Sequence, residues 1–182
     1  MRRLGPWLVA AAVALAAAFA LYGGSGTPPP LTRGSKAPDF SLPRLGGDGE
    51  VSLASLRGRV VLLNFWATWC APCEAEMPAM QRLHEQLSRE GFDLLAVSVD
   101  ESQADVQAFA QRLQLDFPIL LDPQRGVSRL YQTFRYPESF LIDGNGVVVE
   151  RYVGSRDWSS PLYLERVRAL LSQSRGTAAP GS

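Results

Sequence analysis

The stretch Asn64-Phe65-Trp66-Ala67-Thr68-Trp69-Cys70-Ala71-Pro72-Cys73 decides how this chain is read. It continues an unbroken apolar run, Val60–Trp66, of the kind that a parallel sheet buries on both faces. Beyond it, Met77, Met80, Leu83 and Leu87 recur at spacings of three and four, which predicts a helix over 73–90. The cysteines therefore stand where a buried strand ends and a helix begins. The free N–H groups and the dipole of a helix N-terminus favour negative charge there. A thiolate at Cys70 is stabilised by that position, and the thiolate is the nucleophile of disulfide exchange. Two intervening residues bring the sulfurs within bonding reach, so Cys73 can resolve a mixed disulfide formed at Cys70. Pro72 suits a first helical turn because no N–H is needed there. The plainer readings are a pair of buried apolar cysteines or half of a metal site. Structural zinc takes about four protein ligands, and the chain offers two cysteines and one histidine, His84. If the two cysteines act, they act on each other.

Working outward, the pattern alternates strand and helix. Phe92–Val99 reads as a second buried strand, Gln103–Leu113 as a helix, Phe117–Leu121 as a short strand and Gln124–Gln132 as helical. Ser139–Ile142 and Val147–Tyr152 are strands joined by Asp143-Gly144-Asn145-Gly146, a hairpin signal because Gly and Asn tolerate positive φ. A closing helix runs from about Ser159 to Ser172, with Pro161 in its first turn. A β-α-β unit, a helix, a hairpin and a final helix are the thioredoxin order, one option among several α/β folds on pattern alone.

Bulk properties narrow the function classes. The 182 residues give room for one domain plus extensions. The formal net charge is zero, Lys36 is the only lysine, and no basic stripe is present, so nucleic acid is not an expected partner. Arg2 and Arg3 precede the uncharged stretch Pro6–Tyr22, and Gly23–Pro30 then breaks any helix. That layout is an export signal. Ala18-Phe19-Ala20 has the small-x-small form of a cleavage site, while 17 apolar residues reach the lower edge of a membrane span. Residues 1–22 are thus a signal peptide or an N-terminal anchor with the basic end inside. Residues 23–33 are a Gly/Pro-rich linker, 34–174 the folded domain and 175–182 a disordered tail.

The segment Trp66-Ala67-Thr68-Trp69-Cys70-Ala71-Pro72-Cys73 resembles the active-site segment of the TlpA/ResA-like thioredoxin-fold reductases, which include the CcmG group. The resemblance begins at Gly34-Ser35-Lys36-Ala37-Pro38-Asp39-Phe40, includes Leu56-Arg57-Gly58-Arg59 leading into the first core strand, and extends to the final helix. It implies a central mixed β-sheet flanked by helices, with an N-terminal β extension and a helix–strand insertion over Asp100–Asp122. Pro137, in Tyr136-Pro137-Glu138-Ser139, falls where the family has a cis-proline facing the cysteines, with the Tyr136 backbone placed for strand-like contact with substrate. Glu76 matches a glutamate kept near the sulfurs. Asn64 stands where ordinary thioredoxins carry a buried aspartate, which leaves Glu76 as the acid available to move a proton. An ionised Glu76 raises the thiol pKa, and the groups titrate as a coupled system. Trp69 is expected on an exposed apolar rim that partners meet, Trp66 in the core, Pro78 at a kink of the first domain helix, and His84 in solvent. The chain departs from the CcmG pattern at Phe134-Arg135-Tyr136, where that group has a glycine-containing stretch.

By this resemblance the chain is an extracytoplasmic thiol–disulfide oxidoreductase, a monomer without metal or organic cofactor. Its partners are disulfide-containing proteins such as apocytochrome c or copper-site assembly proteins, and a membrane electron donor. Two alternatives stand beside it. Peroxiredoxins share the Ala-Pro-Asp-Phe opening, but they set their cysteine in a Thr/Ser-rich context with a nearby arginine, and Thr68 is two positions off. A copper-delivery protein would use the cysteines as soft ligands, yet Met1, Met77, Met80 and His84 all lie away from the proline loop.

Overall fold

The computed structural model describes residues 5–22, 30–47 and 49–177. It divides into two units, Met1–Pro30 and Leu31–Ser182. In the first, α1 (Gly5–Tyr22) is an 18-residue helix, about 27 Å long at 1.5 Å per residue. Among the described residues no helix is long and apolar enough to cross a membrane. The basic end at Arg2 and Arg3 and linker residues 23–29 lie outside the described residues.

The second unit is built on β3 (Val60–Trp66), whose seven residues are all buried. It pairs in parallel with β4 (Phe92–Ser98) from Val60↔Phe92 to Trp66↔Ser98, and antiparallel with β6 (Glu138–Ile142). The sheet is completed by β5 (Ile119–Leu121), parallel to β4, and by β7 (Val148–Val153), antiparallel to β6. The order is β5-β4-β3-β6-β7, a mixed sheet with β3 at its centre. Because strand side chains alternate, β3 divides its residues between two cores. Val60, Leu62 and Trp66 meet Met77, Met80, Leu83 and Leu87 of α2 (Ala71–Leu87), with Val106 and Phe109 of α3 (Gln103–Arg112) and Leu170 and Leu171 of α5 (Pro161–Thr177). Val61, Leu63 and Phe65 meet Phe140, Tyr131 and the N-terminal segment Leu31, Ala37 and Phe40. Asn64, in phase with Leu62 and Trp66, is the polar exception on the α2 side.

The N-terminal extension contains a hairpin, β1 (Ser41–Pro43) with β2 (Glu50–Ser52). Single bridges tie this extension across the domain, Lys36 to Val147 and Arg44 to Leu120. The insertion is α3 followed by β5. The Asp143–Gly146 turn closes as the sequence suggests, with Gly146 at φ +76° and the Asp143 side chain accepting from the N–H groups of Asn145 and Val147 at 2.9 Å each.

Several boundaries differ from the sequence expectations for local reasons. Pro118 has no N–H to pair, and β5 starts only at Ile119. The expected helix 124–132 contracts to α4 (Gly126–Leu130), between Arg125 and Gln132, both at φ +55°. Leu31, within the expected linker, is buried against the second core, and Gly34 at the domain's start donates to the Val148 carbonyl at 2.8 Å. The tail assigned as disordered from Arg175 is helical through Thr177, and residues 178–182 lie outside the described residues.

Candidate active site

The turn that ends β3 delivers Cys70 to the N-cap of α2. Its Sγ accepts from the Cys73 N–H at 3.3 Å, and Cys70 and Cys73 form a disulfide with Cα atoms 5.2 Å apart. Both cysteines are buried, Cys73 fully and Cys70 with 6% of its surface exposed, so Cys70 is the outer residue of the pair. The turn is fastened to the neighbouring strand. Asp100, just past β4, accepts from the Thr68 N–H at 2.9 Å and from its hydroxyl at 2.8 Å, and also from the Ser98 hydroxyl at 2.8 Å. The Thr68 hydroxyl is thereby committed to structure and not aimed at sulfur.

Glu76, one turn along α2, is 2% exposed. Its Oε1 accepts from the Asn64 amide at 2.9 Å. Its Oε2 accepts from the Arg156 N–H at 3.0 Å and the Trp158 indole N–H at 3.1 Å. Burial pushes its pKa up to about 7, against the pull of those three donors and the Arg156 charge. Asn64 also donates to the Ser139 hydroxyl at 2.9 Å, which joins β3 and β6 through the same polar cluster. The remaining acid of the first turn, Glu74, is half-buried and paired with Arg112 of α3 at 2.7 Å.

The Tyr136–Pro137 bond is cis, and Pro137 is buried just before β6. Trp69 is 64% exposed and meets the Tyr136 ring edge-on at 6.0 Å. Trp66 lies in the core against Phe109. Pro78 sits inside α2. His84 departs from expectation: it is largely covered, with the Phe117 ring at 6.1 Å and Asp116 at 4.0 Å. The helix–strand insertion, supplying Phe117, is what covers it.

Sequence reasoning singled out the cysteines, Glu76, Trp69, Tyr136 and Pro137. It missed Arg156, Trp158, Ser139 and Asp100. A large indole in the polar segment before α5 was the one available signal, since a buried tryptophan N–H needs an acceptor. Among the described residues, no three His, Cys, Asp or Glu side chains gather as a metal set.

Comparison with known proteins places this arrangement. Residues 33–151 match the AhpC/TSA family. The thiol-disulfide oxidoreductase ResA of Geobacillus kaustophilus is 46% identical over 122 residues, 67% of this chain and 70% of that protein. The thioredoxin-like protein YneN of Bacillus subtilis is 44% identical over 131 residues, 69% and 74% of the two chains. A crystal structure of a Chlorobium tepidum protein assigned as thiol:disulfide interchange protein DsbE superposes with TM-score 0.68 at 37% identity, covering 79% of this chain and 98% of that one. By the match over residues 33–151 and the identity to these proteins, the chain belongs to the AhpC/TSA family and, within it, to the ResA-like thiol–disulfide oxidoreductases of thioredoxin fold.

Proposed function

We propose that the protein acts outside the cytoplasm as a reductant of disulfides in partner proteins, with apocytochrome c haem-site cysteines or copper-site assembly proteins as the substrate class. The observation that carries this reading is the asymmetric pair at the start of α2, an outer Cys70 and an inner Cys73 with the buried Glu76 one turn beyond.

In the reduced protein the Cys70 thiolate attacks a partner disulfide. One partner sulfur becomes bonded to Cys70 and the other leaves as a thiolate that takes up a proton. The Cys73 thiol passes its proton to the Glu76 carboxylate and attacks Cys70, which re-forms the observed disulfide and releases the second partner thiol. Two electrons move from the Cys70–Cys73 pair to the partner. With a pKa near 7, Glu76 can both accept and give up a proton at neutral pH. A solvent cleft of about 410 Å³ lined by Pro78, Arg82, Ser155 and Asp157 reaches it, giving that proton a way to bulk water. Trp69 and Tyr136 form the contact rim, and Pro137 positions the Tyr136 backbone beside an incoming segment. Each cycle leaves the protein oxidised, so a membrane electron donor must reduce it again.

The extracytoplasmic placement is read from Arg2, Arg3 and the apolar helix α1, acting as a cleaved signal or a signal anchor.

The test is the reduction potential of the Cys70–Cys73 pair in redox buffers, together with trapping by Cys73→Ser in cells. A potential near or below that of thioredoxin, about −270 mV, with a mixed disulfide through Cys70, is expected. A value near that of DsbA, about −120 mV, would overturn the reductant assignment.

A further inference from the structure

We infer that the groove between Trp69 and α4 seats an extended, acidic and apolar segment next to the reacting cysteine of the partner protein. This rests on the reading of Cys70–Cys73 as a site of exchange with proteins, and it adds the chemistry by which a partner is chosen.

The groove, of about 410 Å³, is bounded by Trp69 on one side, Arg125 and Arg129 on another, and Phe134 and Tyr136 at the proline loop. Phe134 is 75% and Trp69 64% exposed. A single exposed aromatic needs no explanation, but two lining one groove beside a reactive sulfur mark a contact surface. Its charge is one-sided. Arg125 and Arg129 are exposed on the same wall, and no salt bridge to a carboxylate holds either of them among the described residues. The nearby Asp122 cannot answer them. It is buried and accepts from the Gly126 and Ser128 N–H groups at 2.8 Å each. In a chain of zero net charge, two unanswered like charges four residues apart cost energy in the free protein and favour an anionic occupant.

A third observation points to a main-chain ligand. Thr133 lines the same groove, is 1% exposed, and its hydroxyl has no hydrogen-bond partner among the described residues. A buried hydroxyl left unpaired costs about 1–3 kcal/mol, and a peptide N–H or carbonyl laid along the groove would satisfy it. Position then selects the occupant. A segment that brings its disulfide to Cys70 and lies beside the cis-proline must pass Trp69, so carboxylates a few residues from its cysteine fall against Arg125 and Arg129.

The experiment uses the reduced full-length protein and three disulfide-linked peptides that differ only in carrying Glu, Gln or Lys a few residues from the cysteine. The readout is the ratio of exchange rates within each protein, so a change in overall reactivity cancels. Two exposed ion pairs give about a three- to tenfold preference for the Glu peptide over the Gln peptide, with the Lys peptide slowest. The preference falls toward one at high salt. It falls likewise in Arg125→Gly combined with Arg129→Gln. Arg125 occupies φ +55°, a conformation glycine adopts without steric cost, so that variant is expected to fold. Equal rates for all three peptides would overturn the inference and leave the exchange reading intact. Failure to exchange with any peptide, or with hydroxyethyl disulfide, would overturn the exchange reading and the inference with it.

Discussion

Glu76 is held in two opposing ways. Burial raises its pKa to about 7, while the N–H of Arg156, the indole of Trp158 and the amide of Asn64 each favour the charged form. A carboxyl with a folded pKa above its ordinary 4.5 keeps its proton more tightly in the folded chain than in the unfolded one. The stability it supplies is fully present below pH 4.5 and is lost as the pH rises through 7, where the fold must carry a buried charge. The shift corresponds to roughly 3 kcal/mol. In the oxidised protein, where the cysteines do not titrate, Glu76→Gln should therefore abolish most of the decline in urea stability between about pH 5 and 8. An unchanged slope would assign the decline to another group. Asn64 can accommodate either state. Its Oδ1 has no partner among the described residues, and half a turn of the amide presents that oxygen to a protonated Glu76. Trp158→Phe removes one donor while keeping a ring against Tyr152 and Tyr163, now 5.2 and 4.9 Å away. It should raise the Glu76 pKa further and move the pH profile of mixed-disulfide resolution to the alkaline side. A profile that stays in place would reduce the indole to a packing role.

At the scale of elements, β3 and the start of α2 form one rigid bracket, and its hinge is the turn from Ala67 to Cys70. Asp100 fastens that turn through both polar groups of Thr68. Removing the acceptor of three buried or half-buried donors costs about 1–3 kcal/mol. Asp100→Ala is expected to lose about that much in urea unfolding and to slow exchange at Cys70. A loss well under about 1 kcal/mol would show that α2 alone holds the turn. The bracket was legible in sequence because its signals are local: an apolar run, a Cys-x-x-Cys, and Met and Leu at helical spacing. Glu76 was legible as a residue, but its surroundings were not. Its donors come from 12, 80 and 82 positions away, and no periodicity reports a contact of that kind. Element α4 was overextended for the opposite reason. The apolar pattern continues, while positive φ at Arg125 and Gln132 ends the helix at each side, and neither residue type announces that conformation. The charge asymmetry of the groove was hidden in the same way, since Arg125 and Arg129 become a pair only beside Trp69.

For the whole molecule, redox potential and fold stability are one quantity measured twice. The difference in stability between oxidised and reduced forms sets how readily the pair gives up electrons, with about 30 mV equivalent to about 1.4 kcal/mol for a two-electron couple. The roughly 150 mV between thioredoxin and DsbA thus amounts to about 7 kcal/mol, and DsbA is oxidising because its reduced form is stabilised. Here the helix N-terminus favours a Cys70 thiolate, but Cys73 is fully buried and Glu76 sits one turn away. An ionised Glu76 disfavours a thiolate in the same enclosure, so the reduced form gains little above neutral pH. That balance predicts an oxidised protein that unfolds at higher urea than the reduced one, and a potential at the thioredoxin end of the range. Glu76→Gln removes the repulsion and should raise the potential above pH 7 while leaving it unchanged at pH 5. Every group in this argument belongs to the unit from Leu31 onward, so deleting residues 1–30 should leave the potential where it is. Urea unfolding of both redox forms and equilibration against dithiothreitol must agree through the same cycle. A reduced form that outlasts the oxidised one would reverse the direction of electron flow and make Cys70–Cys73 an oxidant.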